Sequence, residues 1–327
     1  MRGSSMKVFV TRLLPDTVMG RLELSKEISE LRVNREDRPL TRKELEDGVG
    51  WCDIILSQLV DSIDSSLMNI NPDLKLIANY AVGFNNIDVA AATEKKIPVT
   101  NTPGVLTETT ADLTWALLMA ISRRIVEADD FMRSGKYEAW SPTLLMGADV
   151  HSKTLGIIGF GRIGFALAKR AQGFGMNILY SDVEEKSFAS EVGAKYTDMY
   201  SLLKQSDFVS LHPFYDEKSH HLISERELKV MKPTSYLINV SRGPVIDEKA
   251  LVNALSNREI TGAALDVFEN EPDMEPGLTD LDNVIIVPHI GSATLDTRTA
   301  MGNIAVENIL AKINNSDLPS CVNPEVL

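Results

Sequence analysis

The stretch Lys153 to Gly164 limits the possible folds of this chain more than any other. A short apolar run with strand character, ending near Ile158, meets the pattern G-x-G-x-x-G at Gly159, Gly161 and Gly164. Residues of helical composition, Phe165 to Ala171, follow. A strand, a tight glycine turn and a helix form a phosphate-binding unit. Gly159 can take backbone angles closed to other residues. Gly161 lets a pyrophosphate approach the main chain, and Gly164 lets helix and strand pack closely. Unpaired N–H groups at the helix start then face the anion, with the positive end of the helix dipole behind them.

Three glycines alone make only a loop, so the context decides. A second strand, Asn177 to Ser181, follows and ends at Asp182. An acidic residue about 20 positions on, at that strand end, is the hydrogen-bond acceptor a ribose 2′-OH requires. The pattern therefore points to a bound dinucleotide. The charge of Asp182 favours NAD, because it would repel the 2′-phosphate of NADP.

Strands alternate with helices along the rest of the chain. Lys7 to Val10, Trp51 to Leu56, Leu74 to Tyr80 and Ile97 to Thr100 read as strands, with a helix over Asp88 to Lys96 among the segments between them. Phe208 to Leu211, Ser235 to Val240, Gly262 to Asp266 and Val284 to Val287 continue the series after the glycine turn. This alternation implies α/β architecture with parallel sheets and helices on both faces. The 327 residues suffice for two such domains. Thr102-Pro103-Gly104 punctuates the chain and marks a domain crossing. We expect a substrate domain of residues 6–104 and 293–327 and a nucleotide domain of residues 105–292, with a cleft between them. The helix over Thr107 to Arg123 is apolar on nearly every face from Leu113 to Ile121 and reads as buried all round. The residues alone leave a core helix and a subunit contact equally open. The helix over Thr297 to Ile313 carries a stripe of Ala300, Ile304, Ile309 and Leu310.

Composition narrows the class of partner. A net charge of −13 argues against nucleic acid or an anionic membrane. No run of 18 apolar residues suggests a span. Cys52 and Cys321 lack metal-ligand spacing and are too few for a disulfide framework, which suits a reducing cytoplasm. Residues 1–5 read as an artificial leader, with Met6 as the natural start, and have no apolar signal segment.

Three chemistry-bearing residues follow successive strands of the nucleotide half. Arg242 follows the strand ending at Val240, Glu271 the strand ending at Asp266, and His289 the strand ending at Val287. Open α/β sheets bind ligands outside the carboxyl ends of their strands, so the three can converge where a nicotinamide would lie. Each has a plainer reading as a surface ion pair, a solvated loop residue or a structural histidine; the coincidence on one sheet favours function. His212, after the strand Phe208 to Leu211, is the competing proton donor. Asp207 and His220-His221 read as surface positions, and the spacing shows no metal cluster.

At these motifs the chain resembles the D-isomer-specific 2-hydroxyacid dehydrogenases, over nearly its whole length from Met6. The resemblance rests on Asn101-Thr102-Pro103, Thr110-Ala111-Asp112, the glycine turn, Asn239-Val240-Ser241-Arg242-Gly243, Gly262 to Phe268 with Glu271-Pro272, and Pro288-His289-Ile290-Gly291. Asn79 to Asp88 and Trp140-Ser141-Pro142 are most similar to the glyoxylate/hydroxypyruvate reductases of that family. The resemblance implies a Rossmann NAD domain, a flavodoxin-like substrate domain and reduction of a small 2-keto acid to its D-2-hydroxy acid. It implies that His289 is the acid/base, that Glu271 orients it and favours its protonated form, and that Arg242 holds the substrate carboxylate and polarises the keto oxygen. The main-chain N–H groups of Val82 and Gly83 would complete the carboxylate site, and Trp140 would reach the pocket of a neighbouring subunit in a homodimer. NAD would lie against Gly159, Gly161, Arg162, Ile163, Gly164, Asp182, His212, Pro213, Val240, Ser241, Asp266 and Gly291, with Asp266 at the nicotinamide carboxamide.

Two positions depart from the family pattern. His212-Pro213-Phe214-Tyr215 stands where the family usually reads His-x-Pro-Leu, and Asn85 stands where many members carry Asp. A 3-phosphoglycerate dehydrogenase would need a further cationic site for its phosphate, and the residues point to none. A binding protein that senses NAD(H) on the same fold stays open as an alternative, with the intact set of Arg242, Glu271 and His289 weighing against it.

Overall fold

Short buried runs, rich in Ile, Val and Leu, form two wholly parallel sheets. The computed structural model describes residues 6–327. The leader expected over residues 1–5 lies outside the described residues. Contacts divide the chain into one unit that runs to Leu106 and resumes over Ser292–Leu327, and a second unit, Thr107–Gly291.

The first unit holds β1 (Met6–Val10), β2 (Ile28–Val33), β3 (Ile54–Ser57), β4 (Leu76–Asn79) and β5 (Val99–Thr100), in the order β2-β1-β3-β4-β5. This is the flavodoxin-like order. Two features explain why the end of the chain returns to this unit. Gly302, on the helix Leu295–Ile313, lies so close to the helix Asp16–Glu23 that a Cβ there would come within 2.6 Å of the Val18 side chain. Asn323 then accepts a hydrogen bond from the Val99 N–H at 2.8 Å and donates to the Ile97 carbonyl at 3.0 Å. The buried face of the long helix runs through Met301, Ala305, Val306, Ile309 and Ile313. Of the expected stripe only Ile309 is fully buried; Ala300, Ile304 and Leu310 sit at its margin.

The second unit holds β6 (Thr154–Ile158), β7 (Asn177–Ser181), β8 (Lys195–Tyr196), β9 (Phe208–Leu211), β10 (Tyr236–Asn239), β11 (Gly262–Leu265) and β12 (Val284–Ile286). Their order is β12-β11-β10-β9-β6-β7-β8. The chain winds from β6 towards β8 on one side and from β9 towards β12 on the other, so the strand order reverses between β6 and β9. Successive residues alternate between two apolar layers, as a sheet covered on both faces requires. Ile157, Ile238 and Ala264 face one layer; Ile158, Leu237, Ala263 and Leu265 face the other.

The helix Thr107–Ser122 departs from the expectation of all-round burial. Thr110, Ala111, Thr114, Leu117, Leu118 and Ile121 are buried at helical spacing, but Ala116 is exposed and Leu113, Trp115, Met119 and Ala120 are only half-buried. One side of the helix covers the sheet and Ala116 lies opposite; Trp115, half-buried on the flank, packs against the Phe174 ring with 4.7 Å between centroids. Two strands escaped the sequence reading, β2 and β8. Both are edge strands whose exposed residues break the apolar run.

Candidate active site

The glycine turn grows directly out of β6. Gly159 has φ +87, a conformation that disfavours any side chain, and its N–H donates to the Ser181 carbonyl at 2.8 Å. A Cβ at Gly159 would lie 2.5 Å from the carbonyl carbon of His212 and the nitrogen of Pro213, the main chain that leaves β9. A Cβ at Gly164 would lie 2.5 Å from the Gly159 carbonyl oxygen. Gly161 is different: a Cβ there would meet nothing within 4 Å. Its missing side chain leaves space that the protein itself does not use. Gly161 also N-caps the helix Arg162–Gln172 without a capping side chain, so no side chain occupies the first helical N–H groups. The turn therefore fits a dinucleotide pyrophosphate on local geometry alone.

Asp182, at the end of β7, is already engaged. One carboxylate oxygen accepts from the Phe160 N–H at 2.7 Å and the other from the Val183 N–H at 2.7 Å. The Lys186 ammonium is 3.5 Å away. Asp182 thus braces the glycine turn, and each of its carboxylate oxygens keeps a lone pair for a further donor. Beneath it, Phe160 stacks on the buried Tyr180 ring at 4.2 Å.

His212 follows β9, and its Nε2 is 2.8 Å from Ser210 Oγ. Burial pushes its pKa down to about 3, so it is neutral near physiological pH. A neutral imidazole held this way is poorly suited to deliver a proton.

Beyond β10, the buried Asn239 side chain shapes the turn that presents Arg242. Its Oδ1 accepts from the Ser241 N–H at 3.0 Å and from Ser241 Oγ at 2.8 Å, and its Nδ2 donates to the Arg242 carbonyl at 2.9 Å. Arg242 Nη1 donates to the Ser241 carbonyl at 2.8 Å. Burial draws the Arg242 pKa below its usual value, and the charge of Glu271 opposes that shift.

Beyond β11 and β12, Glu271 and His289 meet. His289 Nδ1 is 3.0 Å from Glu271 Oε2, and the other Glu271 oxygen accepts from the Phe268 N–H at 3.0 Å. Burial works to raise the Glu271 pKa. The hydrogen bond and charge of His289, the Phe268 N–H and the charge of Arg242 outweigh it and hold the carboxyl below its usual range. His289 sits at φ +53, and its N–H donates to the Asp266 carbonyl at 2.9 Å. The Asp266 carboxylate accepts from the Ile290 N–H at 2.6 Å and the Gly291 N–H at 2.8 Å. Burial raises the Asp266 pKa in spite of these bonds. With Nδ1 committed to Glu271, Nε2 of His289 has no hydrogen-bond partner among the described residues. A histidine oriented by a carboxylate at one nitrogen can exchange a proton at the other.

The remaining expected site residues lie elsewhere in the chain. Val82 and Gly83 belong to the first unit, on the turn after β4. Their carbonyls accept from Asn101 Nδ2 at 2.8 Å and Asn79 Nδ2 at 2.9 Å. Their N–H groups have no partner among the described residues, an arrangement suited to an anion. Trp140, after the helix Ile125–Arg133, is 78% exposed. Two positions read from the sequence as ordinary surface are built into the fold. Asp207 accepts from the Thr154 N–H at 2.9 Å and from Lys232 Nζ at 2.7 Å. His221 Nε2 is 2.7 Å from Glu269 Oε1. Only the position of Glu269, two residues before Glu271, could have hinted at the second contact.

No group of three His, Cys, Asp or Glu side chains among the described residues could hold a metal ion. None of the described helices is long and apolar enough to cross a membrane.

The chain is similar to known proteins over nearly its whole length. Residues 115–291 match the family described as "D-isomer specific 2-hydroxyacid dehydrogenase, NAD binding domain". A glyoxylate reductase of Korarchaeum cryptofilum is 47% identical over 324 residues, covering 98% of this chain and 97% of that protein. The crystal structure of the TT0316 protein from Thermus thermophilus superposes with a TM-score of 0.90 at 41% identity, covering 97% of this chain and all of that one. A glyoxylate reductase structure from Paecilomyes thermophila gives a TM-score of 0.86 at 31% identity, covering 98% of this chain and 99% of that one. The chain belongs to the D-isomer specific 2-hydroxyacid dehydrogenase family.

Proposed function

We propose that this chain is an NAD-dependent dehydrogenase that reduces a small 2-keto acid of the glyoxylate or hydroxypyruvate type to the 2-hydroxy acid, D where a stereocentre forms. The observation that carries the reading is the His289–Glu271 pair at 3.0 Å, with Nε2 left for substrate, on the carboxyl edge of a dinucleotide-binding sheet. The relatives' name, glyoxylate reductase, favours a small acid.

The residues divide the work as follows. Gly159, Gly161, Arg162, Ile163 and Gly164 would cradle the pyrophosphate, and Asp182 would take the adenosine ribose. His212, Pro213, Val240, Ser241, Asp266 and Gly291 would line the rest of the cofactor track, with Asp266 at the carboxamide. Bound NADH supplies the hydride that reaches the keto carbon. Arg242 pairs its forked guanidinium with the substrate carboxylate and stabilises negative charge growing on the keto oxygen. His289 Nε2 gives that oxygen a proton, and Glu271 stabilises the imidazolium beforehand. In the first unit, the free N–H groups of Val82 and Gly83 suit a carboxylate.

The exposed apolar residues Ile125, Val126, Met132, Tyr137 and Trp140, just after the helix Thr107–Ser122, support a homodimer contact, with Trp140 directed to the partner's substrate. The two free cysteines suit a reducing cytoplasm. The direct test is NADH oxidation over glyoxylate, hydroxypyruvate, pyruvate and bulkier 2-keto acids. Turnover should be best with the small acids; no turnover with any of them would remove the proposal.

A further inference from the structure

His221 connects two loops of the active site by separate bonds. Its backbone sits at φ +49, unusual for a residue with a side chain. Its N–H donates to the Pro244 carbonyl at 2.8 Å, and two residues on the Ile223 N–H donates to the Val245 carbonyl at 3.0 Å. The segment is thus stitched to the chain that immediately follows Arg242. The side chain points to the other loop, where Nε2 donates to Glu269 Oε1 at 2.7 Å. Glu269 stands two residues before Glu271, and the Phe268 N–H between β11 and Glu269 is the one that anchors Glu271 Oε1.

The packing around this clasp leaves little slack. A Cβ at Gly243 would come 1.8 Å from the carbonyl carbon of Phe268, so the loop after Arg242 lies directly against the loop that leads to Glu271. The buried Glu248 accepts from the Glu269 N–H at 2.5 Å and from the Glu275 N–H at 3.1 Å. Three carboxylates, Glu248, Glu269 and Glu275, therefore share this corner, and the charges of Glu269 and Glu275 help to raise the Glu248 pKa after burial. His221 supplies Glu269 with a donor there, and its ring is backed by the stacked His220 ring at 4.0 Å. The other Glu269 oxygen has only a long contact, from the Glu248 N–H at 3.5 Å, so without the His221 bond that contact alone would oppose the repulsion of the neighbouring carboxylates.

We propose that His221 is a positioning residue for the reduction: through Glu269 it fixes the loop that presents Glu271 to His289, and through its own main chain it fixes the segment behind Arg242. This rests on the roles proposed above for Arg242, Glu271 and His289. A loop that shifts by a fraction of an ångström loosens the Glu271–His289 bond, and near-attack geometry is sensitive to such shifts.

The test compares His221→Asn, His221→Gln and Glu269→Ala. Asparagine tolerates the positive φ but is too short to reach Glu269; glutamine keeps an N–H donor at similar reach. His221→Asn and Glu269→Ala should each lower kcat/KM for the keto acid by about 10-fold or more, mostly in kcat. The pH limb of reduction should move to lower pH, as it would if Glu271 disengaged. NADH affinity should stay within about twofold, since the clasp lies apart from the glycine turn. His221→Gln should recover most of the rate and the parental limb. The proposal is overturned if both disrupting variants keep parental rates and limbs. It is equally overturned if they lose thermal stability or rate with the limb unmoved and no rescue by glutamine. Retention of parental reduction by His289→Gln would instead overturn the underlying assignment of the acid/base, so the two failures are distinguishable.

Discussion

Alanine at Gly161 and at Gly159 should separate the space the ligand needs from the space the protein needs. A methyl at Gly161 meets no protein atom within 4 Å, and the residue's φ of −83 is open to alanine. The stability of the ligand-free protein should change by less than about 1 kcal/mol, since a small loss in N-capping offsets the gain in unfolded-state entropy. The same methyl occupies the approach to the first N–H groups of the helix. Losing one charge-assisted hydrogen bond costs about 1.5–3 kcal/mol, so NADH should bind roughly 10- to 100-fold more weakly. At Gly159 the balance reverses. The methyl would lie roughly 0.9 Å inside an ordinary 3.4 Å contact with the His212–Pro213 main chain, at φ +87. The strained backbone alone costs about 1–3 kcal/mol, so Gly159→Ala should lower the melting temperature even without ligand. Fluorescence titration with NADH and thermal unfolding of both variants provide the two readings. Parental NADH affinity in Gly161→Ala would mean that the phosphates do not lie on this turn.

Three further variants probe the rest of the site. Asp182→Ser should shift the NADH-to-NADPH ratio of kcat/KM towards NADPH by about tenfold, one lost repulsive contact. It should also weaken both cofactors somewhat, because the Phe160 N–H loses its acceptor; an unchanged ratio would show that another group excludes the 2′-phosphate. Trp140→Ala should raise KM for the keto acid and leave the Kd for NADH near parental, and a large loss of NADH affinity would contradict its role. Glu271→Gln removes the charge that favours the imidazolium, so reduction should begin to fail at lower pH and oxidation should appear at lower pH, both limbs moving together. Glu271 is held below its usual range, so its ionisation adds stability above about pH 4.3, the unfolded value. That stability is lost as pH falls through the lower folded value, and melting temperature against pH should show less acid loss in the Gln variant.

Much of the second unit was legible because its elements carry short-range signatures. Gly159, Gly161 and Gly164 each correspond to a local demand: a positive φ, an open approach and a tight helix contact. The strand ends that present Arg242 and Glu271 follow continuous buried runs, as central parallel strands require, and His289 follows an apolar run, Val284 to Val287, that is half-buried at the sheet edge. What escaped depends on partners distant in sequence. The edge strands β2 and β8 are half in solvent and lack an apolar run. The helix Thr107–Ser122 reads as apolar all round, yet nothing in its residues says that Ala116 faces outward. Gly302 set the buried face of the last helix one position away from the expected stripe, because its contact is with Val18, nearly three hundred residues earlier. Asp182 stands in the sequence as a candidate ribose acceptor, with nothing to mark it as a brace for Phe160, and beyond its spacing from Glu271 nothing marks Glu269 as the partner of His221, because another strand's loop supplies it.

Delivery of the proton by His289 in a D-specific reduction can be measured directly. Hydroxypyruvate and NADH, given to the parent and to His289→Gln, test it in one assay that follows NADH absorbance and the chirality of the glycerate formed. The parent should form D-glycerate in step with NADH oxidised. His289→Gln should lose at least about 100-fold in kcat, the lower end of what a positioned acid contributes, while binding NADH as the parent does. L-glycerate as the product, or parental turnover by His289→Gln, would contradict it.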